Sequence, residues 1–71
     1  MKQTERILKY INDFGSITSL QAMQDLGVMR LASRITDLKQ AGYEIDSKFV
    51  HSKNRYGEPI KYKRYYMKGV N

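Results

Sequence analysis

The sequence predicts an α+β fold: three helices followed by a two-stranded antiparallel hairpin, with room for a short third strand at residues 16–17. Three observations predict it. Apolar residues recur at the three-to-four spacing of a helix as far as Gly42, and at a spacing of two beyond it. Glycines stand where each helical run ends, at Gly15, Gly27 and Gly42. A tract of turn formers, Lys53-Asn54-Arg55-Tyr56-Gly57-Glu58-Pro59, divides the alternating region in two.

The first helix is read over residues 4–14, where Ile7, Leu8, Ile11 and Phe14 form one apolar stripe and Gly15 supplies a left-handed stop. Ser16-Ile17 is a connector long enough for a minimal strand. Thr18-Ser19-Leu20-Gln21 has the form of a capping box, in which the Thr18 hydroxyl accepts from the N–H of Gln21 and the Gln21 side chain reaches back. The helix it opens covers about residues 19–26, with Leu20, Met23 and Leu26 directed inward and Gly27 at its end. A third helix runs from about Met29 to Ala41, striped by Val28, Leu31, Ile35 and Leu38 and closed by Gly42. A short helix, a glycine turn and a longer helix in succession form a helix-turn-helix pattern.

Beyond Gly42, Tyr43, Ile45, Ser47, Phe49 and His51 fall on one face of a strand, and Glu44, Asp46, Lys48, Val50 and Ser52 on the other. A second strand, from Ile60 to about Lys68, carries Tyr62, Tyr65, Tyr66 and Met67. The adjacent Tyr65-Tyr66 pair interrupts the alternation and gives a bulge a place to sit.

A length of 71 residues bounds the chain to a single domain, residues 1–71, with a small core. Without cysteine it has no disulfide and no thiolate metal ligand, which fits a cytoplasmic setting. No apolar run approaches the roughly 18 residues of a bilayer span, so no membrane partner is expected. One histidine, His51, and no clustered carboxylates leave no material for a metal site or a nucleophile–base pair, and no glycine motif for phosphate is present; the reading is of a non-enzyme without a cofactor.

The placement of charge is more informative than its total. Residues 1–46 balance Lys2, Arg6, Lys9, Arg30, Arg34 and Lys39 against Glu5, Asp13, Asp25, Asp37, Glu44 and Asp46. Residues 47–71 set Lys48, Lys53, Arg55, Lys61, Lys63, Arg64 and Lys68 against Glu58 alone, so the whole excess of +6 lies in the hairpin region. Such clustering points to a polyanionic partner or, more simply, to a solubilising strand face.

The segments Gly15-Ser16-Ile17-Thr18-Ser19-Leu20-Gln21-Ala22, Arg30-Leu31-Ala32-Ser33-Arg34-Ile35-Thr36-Asp37-Leu38-Lys39, Gly42-Tyr43-Glu44-Ile45 and the basic loop 53–59 together resemble the winged helix-turn-helix superfamily. More narrowly, the chain resembles the short helix-turn-helix proteins of phages and prophages. The resemblance implies duplex DNA as partner, the third helix entering the major groove and the hairpin acting as a wing. The role implied is a transcriptional regulator or an excisionase-like recombination factor.

At about 100° per residue, the direction opposite the Val28, Leu31, Ile35 and Leu38 stripe is occupied by Ser33, with Met29, Arg30, Thr36, Asp37 and Gln40 on the same outer half and Arg34 at its boundary. Arg30, at the helix start, is suited to the bidentate reading of guanine. Ser33 suits a base edge or a phosphate. Arg34 suits a phosphate clamp or an ion pair with Asp37. Asp37 either accepts from cytosine or orients Arg30, Ser33 or Arg34. Lys53, Asn54, Arg55 and Tyr56 in the loop are candidates for the minor groove, or a solvated hairpin tip. Lys61 and Lys63 are candidates for phosphate. Thr18 and Ser19 open the second helix, where capping and phosphate attraction compete as roles. Tyr62, Tyr65 and Tyr66 are read as sheet packing before a stacking platform.

The DNA reading requires Arg30 and Arg55 to face one duplex as two prongs. A homodimer on two half-sites would join through the first helix or the last strand. The alternative function is a protein-binding module, a phage-encoded inhibitor of a host immune nuclease or similar target built on the same fold.

Overall fold

The computed structural model describes residues 1–68. Residues 69–71, which the single-domain expectation also takes in, lie outside the described residues. The elements follow the order α1 (Gln3–Phe14), β1 (Ile17–Thr18), α2 (Ser19–Gln21, continuing into a π-helical turn, Ala22–Leu26), α3 (Leu31–Gln40), β2 (Ile45–Lys53) and β3 (Pro59–Met67). The strands form one antiparallel sheet in the order β1-β3-β2.

One core joins every element: Ile7 and Ile11 of α1, Ile17 of β1, Ala22, Val28, then Leu31, Ile35 and Leu38 of α3, with Ile45 and Tyr65 from the sheet. Ile7 and Ile17 are fully buried. Truncating either to alanine costs about 2–5 kcal/mol, a large share of the roughly 4–10 kcal/mol expected for a domain of this length.

The stripe of α1 ends earlier than its periodicity predicts. Ile7 and Ile11 are buried and Leu8 is half-buried, but Phe14 is 71% exposed. Phe14 lies in the last turn, where nothing among the described residues closes over it; its ring packs on Tyr10, at 4.7 Å. β1 falls one residue later than expected. Thr18 pairs with Arg64 and Ile17 with Tyr65. An N-cap residue has extended backbone, so Thr18 ends the strand and caps α2 with one conformation (φ −112°, ψ 165°). Both arms of the capping box form: Thr18 Oγ1 accepts from Gln21 N at 3.3 Å, and Gln21 Oε1 accepts from Thr18 N at 3.0 Å.

The inward side of α2 differs from the expected one. Ala22 is fully buried and Leu26 half-buried, while Leu20 and Met23 are exposed. The π turn lengthens the backbone repeat only from Ala22 onward, so it bears on Met23 and not on Leu20. The small Ala22 side chain also allows a close approach that leucine or methionine would block. Arg6 Nη1 donating to Leu26 O at 3.4 Å and Tyr10 Oη donating to Asp25 Oδ2 at 2.6 Å tie α1 to this segment.

The third helix begins at Leu31 rather than Met29, because Arg30 is not helical (φ −121°, ψ 63°) and no side chain caps the start. Val28 is buried all the same, as part of the incoming turn. The far end closes as the glycine predicts: Gly42 (φ 103°) donates to Lys39 O and Tyr43 N to Leu38 O, both at 3.1 Å, the paired bonds of a Schellman stop.

β2 and β3 pair one for one from Ile45–Met67 to Lys53–Pro59, so no bulge occurs at Tyr65-Tyr66. Tyr65 is buried against the helices, and Tyr66 is half-buried on the opposite face. Beyond Val50 the hairpin leaves the core, and every residue from His51 to Lys63 is exposed. The outer hairpin is thus an arm projecting from the helical body.

Candidate nucleic-acid interface

The outer side of α3 and the arm contain nearly all the predicted contact residues. Arg30 stands exposed at the uncapped start of α3, beside Met29, which is 74% exposed. Ser33 is half-buried; Thr36 and Asp37 are exposed. The Thr36 hydroxyl donates to Ala32 O at 3.1 Å, leaving its lone pairs outward. Arg34 is half-buried, with Nη1 at 3.5 Å from Asp37 Oδ2. A pair this exposed stabilises the helix by about 1 kcal/mol at most, but it partly neutralises the one acid of α3. Arg34 Nε is buried without a hydrogen-bond partner among the described residues.

Thr18 is 4% exposed and its hydroxyl is spent on the cap, so the structure gives its side chain the capping role and leaves Ser19 as the exposed residue at that end of α2.

In the arm, cross-strand neighbours share a face. His51 lies opposite Lys61 and Phe49 opposite Lys63, with Lys53 two residues further out. At its base this same face carries Ile45 and Tyr65, which join the core with Leu31, Ile35 and Leu38 of α3. The lysine-bearing face of the arm and α3 therefore lie on the same side of the sheet. Lys61 Nζ sits 4.7 Å and Lys63 Nζ 5.7 Å from the centre of the Phe49 ring. The ring's negative face holds both ammonium groups over the strand and keeps them as a pair.

The hairpin tip is built by Asn54. Its Oδ1 accepts from the N–H groups of Tyr56 and Glu58, both at 3.0 Å, and its Nδ2 donates to Glu58 Oε1 at 3.1 Å. Gly57 N donates to Asn54 O and Asn54 N to Glu58 O, and Gly57 takes the left-handed backbone (φ 78°) that this turn needs. Asn54 is thus a turn former, and it holds the only acid of the hairpin loop. Arg55 and Tyr56 remain at the tip; Tyr56 is 83% exposed. The signal was present in the sequence as asparagine three residues before glycine, the preferred ends of a four-residue turn.

Lys48 and Arg64 were not among the predicted contacts. They lie directly opposite each other on the other face of the hairpin, near its base, and only the register reveals that. Among the described residues no cluster of histidine and carboxylate side chains could hold a metal ion, and no helix is long and apolar enough to cross a membrane.

A family model described as a winged helix-turn-helix domain matches residues 2–70, and the chain belongs to that family. No curated protein and no solved structure matches the chain significantly.

Proposed function

Because the chain is a winged helix-turn-helix domain, typically a DNA-binding module, we propose that it binds duplex DNA sequence-specifically and catalyses nothing. In this reading α3 enters the major groove with Arg30 foremost. Ser33 and Thr36 lie beside it, and Asp37 steers Arg34 onto a phosphate. The tip residues Arg55 and Tyr56, with Lys53, reach the adjacent minor groove, and Lys61 and Lys63 follow the backbone. Ser19 adds a phosphate contact at the start of α2. The protein acts in the cytoplasm as a phage-type transcriptional regulator or as an excisionase-like factor. A homodimer would place two copies on half-sites about one helical turn apart.

The observation that carries this reading is the shared side of the sheet. The cationic face of the arm, Lys53, Lys61 and Lys63, continues the face that packs on α3, and the loop's one acid, Glu58, is bound to Asn54.

Selection of bound duplexes from a random pool tests it. A conserved motif of a few base pairs should emerge, and Arg30→Ala should blur it at one position. A pool that yields no enrichment removes the sequence-specific reading and turns attention to a protein target.

A further inference from the structure

We propose that the groove between the end of α1 and the hairpin base is a binding site for a small organic anion with an aromatic body. The groove is open to solvent along one side and offers about 700 Å³, within the range of about 300–1,000 Å³ typical of small-molecule sites. Its floor is apolar, from Leu8, Ile11 and Met67. Phe14, Tyr43 and Tyr66 supply ring surfaces, and Lys48 and Arg64 supply charge.

Two features of the groove suit an anion, and a third suits an attached ring. Lys48 and Arg64 are cross-strand partners, and like charges so placed repel. Arg64 is half-buried and its Nε is buried with no hydrogen-bond partner among the described residues, which leaves that donor available to an acceptor in the groove. Phe14, the last residue of the α1 stripe, is left 71% exposed at the rim.

No acid among the described residues lines the groove, and the one on the same strand face does not relieve the charge. Asp46 sits next to Lys48 on the same strand face, opposite Tyr66, but it accepts from its own neighbour Ser47 N at 2.7 Å and forms no ion pair with either cation among the described residues. A carboxylate or phosphate between Lys48 and Arg64 would satisfy both cations, and an attached ring would cover Phe14, Tyr43 and Tyr66. Such a ligand meets the charge and the apolar walls together, which a bare ion or a neutral ring does not. The groove uses none of the residues assigned to DNA, so the site stands apart from that reading.

The test is a titration of the full chain, followed by amide NMR shifts, with 1-naphthoate, its neutral analogue 1-naphthamide, and inorganic phosphate. Naphthoate should give saturable shifts centred on Phe14, Tyr43 and Arg64, at least about tenfold tighter than the amide or phosphate, as expected for charge-assisted hydrogen bonds. Lys48→Gln, an exposed change that leaves the core intact, should weaken naphthoate several-fold. Arg64→Gln should weaken it further, with the helical circular dichroism unchanged. Equal binding of acid and amide, shifts centred on the arm instead, indifference to Lys48→Gln, or no saturation by about 10 mM, beyond the weak end of useful affinity, would each overturn the proposal. Duplex binding measured on the same samples reports separately on the DNA reading.

Discussion

Asn54 and Glu58 are joined by three hydrogen bonds: the carboxamide of Asn54 donates to the Glu58 carboxylate at 3.1 Å and accepts from the Glu58 N–H at 3.0 Å, and the Asn54 N–H donates to Glu58 O at 3.0 Å. The arm has no core beneath it, and an isolated two-stranded hairpin is marginal in water. Its order therefore depends on this turn. Asn54→Ala should loosen the tip without unfolding the body: amide exchange should speed up at Tyr56, Gly57 and Glu58 and stay unchanged in α3. Gly57→Ala forces a side chain into the left-handed region (φ 78°) and should cost about 1–2 kcal/mol of tip stability. Protection at the tip unchanged in both variants would show that the turn is held by something else.

Thr18 ends β1 and caps α2 with the same backbone conformation. Thr18→Ala should cost about 1 kcal/mol, within the usual range for a lost cap. Thr18→Ser should recover most of it, because the hydroxyl is the accepting group. Urea denaturation of the two variants decides this. Equal loss in both would assign the effect to the threonine methyl group and its packing.

The outward rotation of α2 makes a paired prediction. Leu20→Ser and Met23→Gln remove exposed apolar groups and should each change stability by less than about 0.5 kcal/mol. Ala22→Leu puts three extra carbons into a fully buried contact and should cost about 1–3 kcal/mol. A reversed order in thermal denaturation would restore the inward Leu20 and Met23 expected from sequence.

The elements were legible because their signals are local. Gly42 and the capping box of Thr18 and Gln21 act through bonds made within a few residues, and both form as their sequence signals predict. The errors came where a neighbour or a register decides. Periodicity aimed Phe14 inward but could not say that no side chain among the described residues closes over it. It also treated residues 19–26 as an ordinary helix, which a π turn at Ala22–Leu26 does not obey. The cations of the tip were legible from the placement of charge along the sequence. The facing of Lys48 and Arg64 was not, because it depends on pairing across a loop whose geometry sets the register.

Tyr10 gives the fold a pH response. The hydrogen bond it donates to Asp25 at 2.6 Å raises the phenol above its ordinary value of 10.0, with smaller contributions from desolvation and the nearby negative charge. A folded-state pKa above the unfolded one means that the contribution is fully present below the unfolded value and is lost as pH rises through the raised one. Wild type should therefore lose stability relative to Tyr10→Phe in the alkaline range above the ordinary tyrosine pKa. Parallel stability profiles there would show that the bond is not maintained in solution.

The central claim is that α3 and the arm address one duplex, and the salt dependence of duplex affinity in wild type, Arg30→Ala and Arg55→Ala tests it most directly. The logarithm of affinity should fall linearly with the logarithm of salt concentration, by about 0.9 for each phosphate contacted. Arg55→Ala should flatten the slope by about one contact and weaken all sequences alike. Arg30→Ala should keep most of the slope and lose about 1–3 kcal/mol of discrimination at one base pair. No duplex binding, binding indifferent to salt, or equal loss of sequence preference in both variants would contradict the account.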